Sequence, residues 1–238
     1  MVNRVRRDGT SLRSVPSGIA CEEIHKHMSS HKRVADSTVR RLSLYLSFLE
    51  ELEQTGSATV SSDMLARLGG TTSAQVRKDL SIFGSFGERG LGYDIEELTG
   101  KLRGILGLEQ TWRVCVVGAG KLGLALAQYP GFAEKGFHVA AVYDAAPSRI
   151  GTNWDSLTVR DARDLAADAS AEHFDIGVIA VPAEAAQTVA EQLVAAGIHA
   201  IMNFAPVQII VPPDVVTRTV NMALEFEALS FALSNRGR

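Results

Sequence analysis

The chain has 238 residues, a formal net charge of −3 and 46% hydrophobic residues, which suits one large or two small domains and excludes a largely disordered chain. Its apolar runs, such as Ile176–Pro182, fall short of the roughly 20 residues that span a membrane. Two cysteines, Cys21 and Cys115, give neither a disulfide framework nor a metal-ligand spacing. The basic start, MVNRVRRDGTSLRS, lacks the apolar segment of a signal peptide. We therefore expect a cytoplasmic protein with no membrane partner.

The charge is unevenly distributed. Residues 1–93 carry 13 Lys and Arg against 10 Asp and Glu, a net of +3, and the remainder carries −6. A basic front on an acidic remainder favours a polyanionic partner at the N-terminal side.

Residues 1–35 are predicted to be a poorly ordered extension, because they are charged and show no hydrophobic periodicity. His25, His27 and His31 lie close together there. They are compatible with a metal site, but a solvated tail is the simpler interpretation, since no carboxylate or thiolate accompanies them.

Residues 36–94 show the pattern of a winged helix-turn-helix domain. A first helix is expected over Ser37–Gln54, with Asp36 or Ser37 as its N-cap and Gly56 at its end. A second helix, Ser62–Leu68, is preceded by serine and followed by two glycines. A third helix begins near Thr72 or Ser73.

The third helix is predicted to bury one face and present the other. Val76, Leu80 and Phe83 share the face that packs inward. The outward face carries small, amide and basic side chains, which suit reading of the DNA major groove: Ser73, Gln75, Arg77 and Lys78. The alternative is an ordinary solvated helix face.

The glycine-rich segment Phe86–Tyr93 predicts a hairpin wing with Arg89 near its tip. A narrow cationic tip suits the minor groove, whose negative potential attracts arginine. An ordinary hairpin is the alternative, but the helix order, the turn and the wing together favour DNA binding.

A linking helix is expected within residues 95–111, followed by a nucleotide-binding domain over residues 112–219. A β-branched run leads into Gly118, Gly120 and Gly123 and then a helix, and a second strand, His138–Tyr143, ends in Asp144. This is the context of a Rossmann dinucleotide site. Gly118 makes the tight turn, Gly120 lets the backbone approach a pyrophosphate, and Gly123 lets helix and strand pack closely.

Asp144 is placed to accept hydrogen bonds from the adenosine ribose and to repel a 2′-phosphate, which favours NAD over NADP. The nearby Arg149 works against that preference. The alternative for the loop is a glycine turn with no ligand.

The remaining pattern alternates strand and helix. Strands are expected at Ile176–Val181, Ala200–Asn203 and Thr217–Asn221, and a helix at Ala183–Ala196. Ligands bind beyond the carboxyl ends of parallel strands, so the segments that emerge there are candidates for the nicotinamide side: Val181, Pro182 and Ala183 after one strand, and Asn203, Phe204, Ala205 and Pro206 after the next. Proline punctuation of ordinary loops is the alternative.

Residues 220–238 contain a helix over Met222–Leu233 that is too apolar on every side to lie in water. It is expected to be buried on its own domain or on a second chain. A symmetric DNA reader is usually a dimer, which favours the second chain.

The chain resembles the Rex family of bacterial redox-sensing transcriptional repressors from about Arg41 to Leu233. The resemblance rests on QVRKDLSIFGSFGERGLGY, VVGAGKLGLAL, AVPAEAAQ and GIHAIMNFAPV in this order. It implies an α/β protein, in which an N-terminal winged helix-turn-helix domain joins a Rossmann-type parallel-sheet domain. It also implies a homodimer with an exchanged C-terminal helix and release of palindromic operator DNA on binding NADH, with NAD competing more weakly.

The resemblance and the motifs together give the candidate site residues. The candidates for DNA contact are Arg41, Ser73, Gln75, Arg77, Lys78 and Arg89. The candidates for binding NADH or NAD are Gly118, Ala119, Gly120, Lys121, Leu122, Gly123, Asp144, Val181, Pro182, Asn203, Ala205 and Pro206.

The family's conformational switch is implied to involve Tyr129, and this chain departs from the family at two positions connected with it. Ser47 stands where the family usually has arginine, and Asn221 where it usually has aspartate. Both charges are lost together, so no unpaired ion is left behind. The pair is compatible with a matched replacement, and it puts the usual switch in doubt.

Two other functions stay open. A repressor that senses coenzyme A or an adenine nucleotide fits the same loop. An NAD-dependent dehydrogenase needs a positioned acid or base. His138, His173 and His199 are expected at strand entries, far from the nicotinamide, and Lys121 lies in the phosphate loop. We therefore expect a protein that is not an enzyme and has no catalytic residues or metal.

Overall fold

The computed structural model describes residues 34–87, 91–154 and 157–236. The histidines of the predicted extension and the predicted wing residue Arg89 lie outside the described residues. The chain divides into two compact units, Met1–Leu106 and Gly107–Arg238. Among the described helices, none is both long and apolar enough to cross a membrane.

The first unit is mostly helical and has a short two-stranded sheet. Its elements are α1 (Asp36–Gln54), β1 (Thr59–Val60), α2 (Ser62–Leu68), α3 (Ser73–Ser81), β2 (Tyr93–Asp94) and α4 (Ile95–Ile105). The strands pair antiparallel, with Val60 opposite Tyr93. This order confirms the predicted helix, short helix, turn and helix.

Helix α1 buries the face predicted from its spacing, including Leu42, Tyr45 and Leu49. The prediction that Asp36 or Ser37 caps its N-terminus is wrong. Backbone N–H groups of Thr38 and Val39 donate to the carbonyl of Ala35, which makes Ala35 the N-cap residue and places Asp36 in the first turn. A carboxylate there still favours the helix, because it faces the positive end of the dipole.

Glycine ends α1 as predicted, by a specific geometry. Gly56 has φ of +78°. Its N–H donates to the carbonyl of Glu53, and the N–H of Ser57 donates to the carbonyl of Leu52. These two bonds form a Schellman motif, in which the residue with positive φ is usually glycine.

The predicted linking helix forms as α4 and packs on α1 within the first unit. Ile95, Leu98 and Leu102 are buried on its inner side. Across the contact, Arg103 Nη1 donates to Glu50 Oε1 at 2.8 Å.

The second unit is an α/β sandwich around one sheet. Its elements are β3 (Trp112–Val117), α5 (Lys121–Ala127), α6 (Pro130–Glu134), β4 (Phe137–Asp144), β5 (Asn153–Trp154), β6 (Leu157–Asp161), a 3₁₀ turn (Ala162–Asp164), α7 (Leu165–Glu172), β7 (Ile176–Ile179), α8 (Ala183–Ala195), β8 (Ala200–Asn203), β9 (Val216–Thr219) and α9 (Met222–Ser234).

The sheet has the strand order β5-β6-β4-β3-β7-β8-β9, and every pair except β5–β6 is parallel. From β3 the chain first adds strands on one side and then returns to add strands on the other. This is the doubly wound order of a Rossmann domain, and its switch point lies between β3 and β7.

Apolar side chains cover both faces of the central strand. Cys115 and Val117 of β3 belong to one buried cluster, and Val114 and Val116 belong to the cluster on the other face. Burial raises the pKa of the Cys115 thiol to about 12, so this cysteine is a core residue and not a nucleophile.

The last strand ends earlier than the sequence predicts. β9 stops at Thr219, and Asn221 is the N-cap of α9, where its Oδ1 accepts the N–H of Ala223 at 3.0 Å. The prediction that Asn221 closes the strand is therefore wrong, because its side chain satisfies a helix terminus instead.

Helix α9 forms as predicted, and its large apolar side chains are exposed; Phe231, for example, is 73% accessible. The other exposed apolar side chains of α9 are Met222, Leu224, Phe226, Leu229 and Leu233. A helix that is apolar on every side is normally buried.

Two glycines of the first unit test whether Gly56 is required by its positive φ: Gly56 ends α1, and Gly100 lies inside α4. Gly56→Ala is expected to lower the free energy of unfolding by about 1 kcal/mol, because the positive φ disfavours an L-residue. Gly100 lies on the exposed face of α4 without positive φ, and at both glycines an added Cβ would meet no atom within 4 Å. Gly100→Ala is expected to raise the free energy of unfolding by about 0.5–1 kcal/mol. Urea unfolding followed by circular dichroism measures both; effects of the same sign would contradict this account.

Candidate functional site

The glycine loop of the second unit follows β3, at the switch point where the strand order of the sheet reverses. Gly118 has φ of +110°, and its N–H donates to the carbonyl of Tyr143 at the end of β4. A Cβ on Gly118 would overlap the carbonyl of Ala180, and one on Gly123 would overlap the carbonyl of Gly118. The loop therefore fits between β4 and the segment after β7 only because these positions lack side chains.

Gly120 differs from the other two loop glycines. The nearest atom to a Cβ at Gly120 would be the Arg149 Nη1, at 3.8 Å. Its backbone is thus open to an incoming group rather than pressed against the fold. Lys121 and Leu122, which follow it, are exposed, and Ala119 is buried. This arrangement suits the close approach of a pyrophosphate.

Asp144 is 7% exposed and holds the loop in place. Its Oδ2 accepts the N–H of Ala119 at 2.8 Å and the Nη1 of Arg149 at 2.9 Å. Its Oδ1 accepts the N–H of Ala146 at 2.8 Å. Burial by itself would raise the pKa of Asp144, but these bonds outweigh it and hold the pKa below its usual value, so the carboxylate is ionised at neutral pH.

A cavity of about 870 Å³ opens beside this loop, within the range of small-molecule and cofactor sites. Gly118, Asp144, Val181 and Pro182 all line it. The structure thus gathers predicted residues from three different strand ends into one concave surface.

Sequence reasoning placed Arg149 near Asp144 but missed Arg163 in the wall of the cavity. Arg149 and Arg163 both line it, and each is paired with an aspartate: Arg149 with Asp144, and Arg163 with Asp161. Arg163 follows the carboxyl end of β6, and the end of that strand was the signal that would have found it.

Asn203, Ala205 and Pro206 do not line this cavity. Asn203 is fully buried, its Oδ1 accepts the N–H of Ala205 at 2.9 Å, and its Nδ2 donates to the carbonyl of Val207 at 2.7 Å. The carboxamide therefore shapes the loop after β8. That loop lies beside the end of β7, because the N–H of Phe204 donates to the carbonyl of Ile179.

The three predicted switch residues are divided between the two units. Ser47 is exposed on α1 of the first unit. Tyr129 is exposed before α6, with its ring edge-on to Phe132, and Asn221 caps α9. Tyr129 and Asn221 do not line the cavity.

The helix-turn-helix surface of the first unit is fixed by its caps. Ser61 Oγ accepts the N–H of Met64, and Thr72 Oγ1 accepts the N–H of Gln75, each at 3.1 Å. Ser61 and Thr72 therefore set the starts of α2 and α3 and hence the turn between them.

Arg77 and Lys78 are exposed on α3, as predicted. Arg77 Nη1 donates to Ser62 Oγ at 2.9 Å, and Ser73 Oγ donates to the Asp63 carboxylate. The N-terminal side of α3 is thus connected to α2 through side chains on its surface.

Arg41 and Gln75 share a partner that sequence reasoning missed. Asp79 belongs to α3, is 1% exposed and bonds to side chains of α1. Its carboxylate accepts from Arg41 Nε at 2.6 Å, Arg41 Nη2 at 2.8 Å, Gln75 Nε2 at 2.8 Å and Tyr45 Oη at 3.1 Å. Its position four residues after Gln75 was the available signal.

The charges of this cluster are stable at neutral pH. Burial alone would raise the pKa of Asp79, but the bonds from Arg41 and Gln75 outweigh it and hold the pKa below its usual value. Burial, together with the neighbouring carboxylate, raises the pKa of Tyr45 to about 12. Arg41, Gln75 and Lys78 line a shallow cavity of about 330 Å³ above the cluster.

Two family models match the chain. One, described as a putative DNA-binding protein N-terminus, matches residues 33–81, and the other, described as a CoA binding domain, matches residues 109–207.

Curated relatives cover most of the chain. Proteins named redox-sensing transcriptional repressor Rex are 43% identical in Desulfitobacterium hafniense, over 86% of this chain and 97% of the relative, and 44% identical in Syntrophomonas wolfei, over 86% and 98%. The protein of that name from Streptomyces griseus is 44% identical, over 90% of this chain and 84% of the relative.

Solved structures agree with the relatives. RSP, a Rex-family repressor, has been crystallised in complex with β-NAD⁺ and operator DNA, and that structure matches with 36% identity and a TM-score of 0.82, over 86% of this chain and 94% of RSP. RSP in complex with β-NADH matches with 35% identity and a TM-score of 0.80, over 86% and 96%. With such relatives across most of its length, this chain belongs to the Rex family of redox-sensing transcriptional repressors.

Proposed function

We propose that this chain is a homodimeric repressor that binds a palindromic operator and leaves it when NADH occupies the cavity beside Gly118. The observation that carries the proposal is the presence in one chain of a capped helix-turn-helix surface and a dinucleotide loop. The repressor RSP, which is similar over most of its length, has complexes with NAD⁺ plus operator DNA and with NADH. The chain acts in the cytoplasm.

In the ligand site, the segment Gly118–Gly123 approaches the pyrophosphate with its backbone, and Gly120 leaves the space open. Asp144 accepts from the adenosine ribose. Val181 and Pro182, together with Asn203, Ala205 and Pro206 after the neighbouring strand, form the nicotinamide side. Asn203 contributes by shaping its loop, since both ends of its carboxamide already bind backbone groups.

Preference for NADH over NAD follows from charge. The reduced nicotinamide ring is neutral and the oxidised ring is cationic, so an apolar surface favours the reduced ring by the cost of desolvation. The segments after β7 and β8 offer mainly alanine, valine, phenylalanine and proline. A ligand moves the protein between states only by its difference in affinity for them, so NADH must favour the state that does not fit the operator.

The exposed apolar surface of α9 supports a dimer. Its side chains, among them Phe226 and Phe231, are covered when the helix packs on a second chain. A two-fold dimer presents two α3 helices to successive major grooves of a palindrome. Ser73, Arg77, Lys78 and Arg89 then face DNA, with Arg41 and Gln75 beside them.

The residues at Ser47 and Asn221 give this chain an altered switch. Both are uncharged where the family usually carries an ion pair, and Asn221 is occupied as the cap of α9. Tyr129 is exposed just before α6. In this proposal it meets the uncharged Asn221 where the family usually offers an aspartate. The proposal therefore requires a dimer that switches without the family's usual ion pair.

Other functions have weaker support. A coenzyme A sensor draws on the match to a CoA binding domain, but the full-length relatives carry the redox-sensing name. For a dehydrogenase, the residues that line the described cavity include no histidine or lysine to act as acid or base. His138, His173 and His199 precede or begin strands, at the edge of the sheet away from the glycine loop.

A titration of preformed complex tests the proposal. Fluorescence anisotropy of a labelled palindromic operator is followed at fixed salt while NADH, NAD, NADPH or coenzyme A is added. NADH is expected to release the DNA at a concentration at least roughly tenfold below that of the others, at two chains per duplex. Release by coenzyme A alone would favour the alternative sensor, and tight binding unaffected by any ligand would contradict the switch.

Arg77→Ala is expected to weaken operator binding by about 1–3 kcal/mol and to relax the preference for one base pair, if the guanidinium reads guanine. Lys135→Ala removes the same charge from the second unit and is expected to leave both unchanged. Competition between operator and random duplex measures the effect. Equal losses on both duplexes would reassign Arg77 to a phosphate contact.

Asp144→Asn is expected to weaken NADH binding about tenfold and to reduce the preference for NADH over NADPH, because the replacement no longer repels a 2′-phosphate and leaves Arg149 free to attract it. Asp168→Asn is the matched control, since Asp168 also pairs with an arginine, Arg160, but lies outside the cavity. Calorimetric titration of both variants decides this. Unchanged NADH affinity in Asp144→Asn would remove Asp144 from the site.

A further inference from the structure

The buried carboxylate of Asp79 has no role in the function proposed so far. A buried ion pair contributes little net stability compared with apolar side chains of the same size, because both ions lose their hydration. Asp79 nevertheless collects donors from Arg41, Tyr45 and Gln75 at one point between α1 and α3. Two of these three partners reach the surface that carries the exposed cations of α3.

Arg41 is held so that only one of its nitrogens is free. Its Nε and Nη2 donate to the two oxygens of Asp79, and Nη2 also donates to Thr38 Oγ1 at 3.1 Å. Both hydrogens of Nη2 are therefore used. Of the three guanidinium nitrogens of Arg41, only Nη1 has no hydrogen-bond partner among the described residues. The side chain is 25% exposed. A single nitrogen suits a phosphate oxygen, because the bidentate contact with guanine needs two donors.

Gln75 is held in one orientation. An ionised carboxylate only accepts hydrogen bonds, so the amide must turn its Nε2 toward Asp79, at 2.8 Å from Oδ1. No described residue donates to Oε1 of Gln75, and the residue lines the shallow cavity beside Arg41 and Lys78. The side chain lies in the first turn of α3, which is the part of a recognition helix that contacts base edges.

We propose that Asp79 is a positioning residue for DNA recognition, which fixes Arg41 as a phosphate contact and turns the carbonyl oxygen of Gln75 toward an amino group on a base edge. That amino group is N4 of cytosine or N6 of adenine, the donors that the major groove presents. The inference rests on the proposed DNA binding, and it adds which atom contacts a phosphate and which atom contacts a base.

Asp79→Asn tests the positioning, because it keeps the shape and removes the charge. The asparagine offers one acceptor in place of two and turns an amide toward its former donors. We expect at least a roughly tenfold loss of affinity for the operator and a smaller loss on random duplex. In a panel of operators with single base-pair changes, the preference at one position is expected to flatten, and Gln75→Ala is expected to flatten the same position.

Tyr45→Phe is the matched structural control. It removes another hydrogen bond to Asp79, and Tyr45 is fully buried, so it has no surface atom for DNA. It is expected to lower the melting temperature and leave the base preferences unchanged. If both Asp79→Asn and Tyr45→Phe lose affinity in proportion to lost stability, with base preferences intact, Asp79 is structural only and the proposal is overturned.

Arg41→Ala separates the two contacts, and because it also removes two donors from the buried carboxylate of Asp79, its melting temperature is measured beside its affinity. Loss of one phosphate contact reduces the slope of log affinity against log salt by about one. Flattening of a base-pair preference by Arg41→Ala would overturn the phosphate assignment. If Asp79→Asn does not fold, Gln75→Ala and Arg41→Ala on the full chain still decide the assignments.

Failure of the proposed DNA binding can be distinguished from failure of this inference. A wild-type chain that does not prefer a palindromic operator over random duplex removes the proposed function. A wild-type chain that does prefer it, and whose Asp79→Asn and Gln75→Ala variants keep every base preference, removes only this inference.

Discussion

Close backbone contact at the turn after β3 is the constraint on which the second unit depends. Gly118 passes between the end of β4 and the segment after β7, and neither it nor Gly123 has room for a Cβ. Any side chain there would separate strand from helix and widen the switch point of the sheet. The same contact leaves the backbone at Gly120 uncovered, so the requirement of packing and the requirement of ligand approach are met by one loop.

Buried aspartates stabilise both candidate sites in a similar way. Asp144 binds the glycine loop and Arg149, and Asp79 binds Arg41 and Gln75. In each, the pKa is held below its usual value although burial opposes ionisation. A buried charge satisfied by several donors fixes the directions of its partners. Arg41, Gln75 and Arg149, which are long and polar, are each held by a hydrogen bond to a buried aspartate.

Helix α9 contrasts with these two sites, because its large apolar side chains are exposed whereas the buried aspartates of the sites are hydrogen-bonded. Its phenylalanine and leucine side chains are more than half exposed within the described part of one chain, and Asn221 caps its N-terminus. In the proposed dimer, a second copy of the chain supplies the apolar surface that covers this helix. The same hydrophobic requirement would then account both for the proposed dimer and for its two helix-turn-helix surfaces.

The sequence by itself determined the three helices of the helix-turn-helix, the turn glycines, the loop that precedes α5 and the strands β3, β4, β7 and β8, but it did not predict β5, β6, α6 or α7. The predicted features depend on local periodicity, capping and spacing, as the caps at Ser61 and Thr72 illustrate. Family membership followed from motifs in the same order. Only the tertiary structure decided which polar side chains meet. Asp79 lies 38 residues from Arg41 along the chain and bonds to it. Arg149 bonds to Asp144, which also accepts a hydrogen bond from the glycine loop. Asn203 is buried and bonds to the backbone of its own loop. The structure also decided two helix starts: Ala35 caps α1 through its backbone carbonyl alone, and Asn221 caps α9 through its side chain. Side-chain partners are set by how elements pack, and that information is not contained in the spacing of residues along any one element.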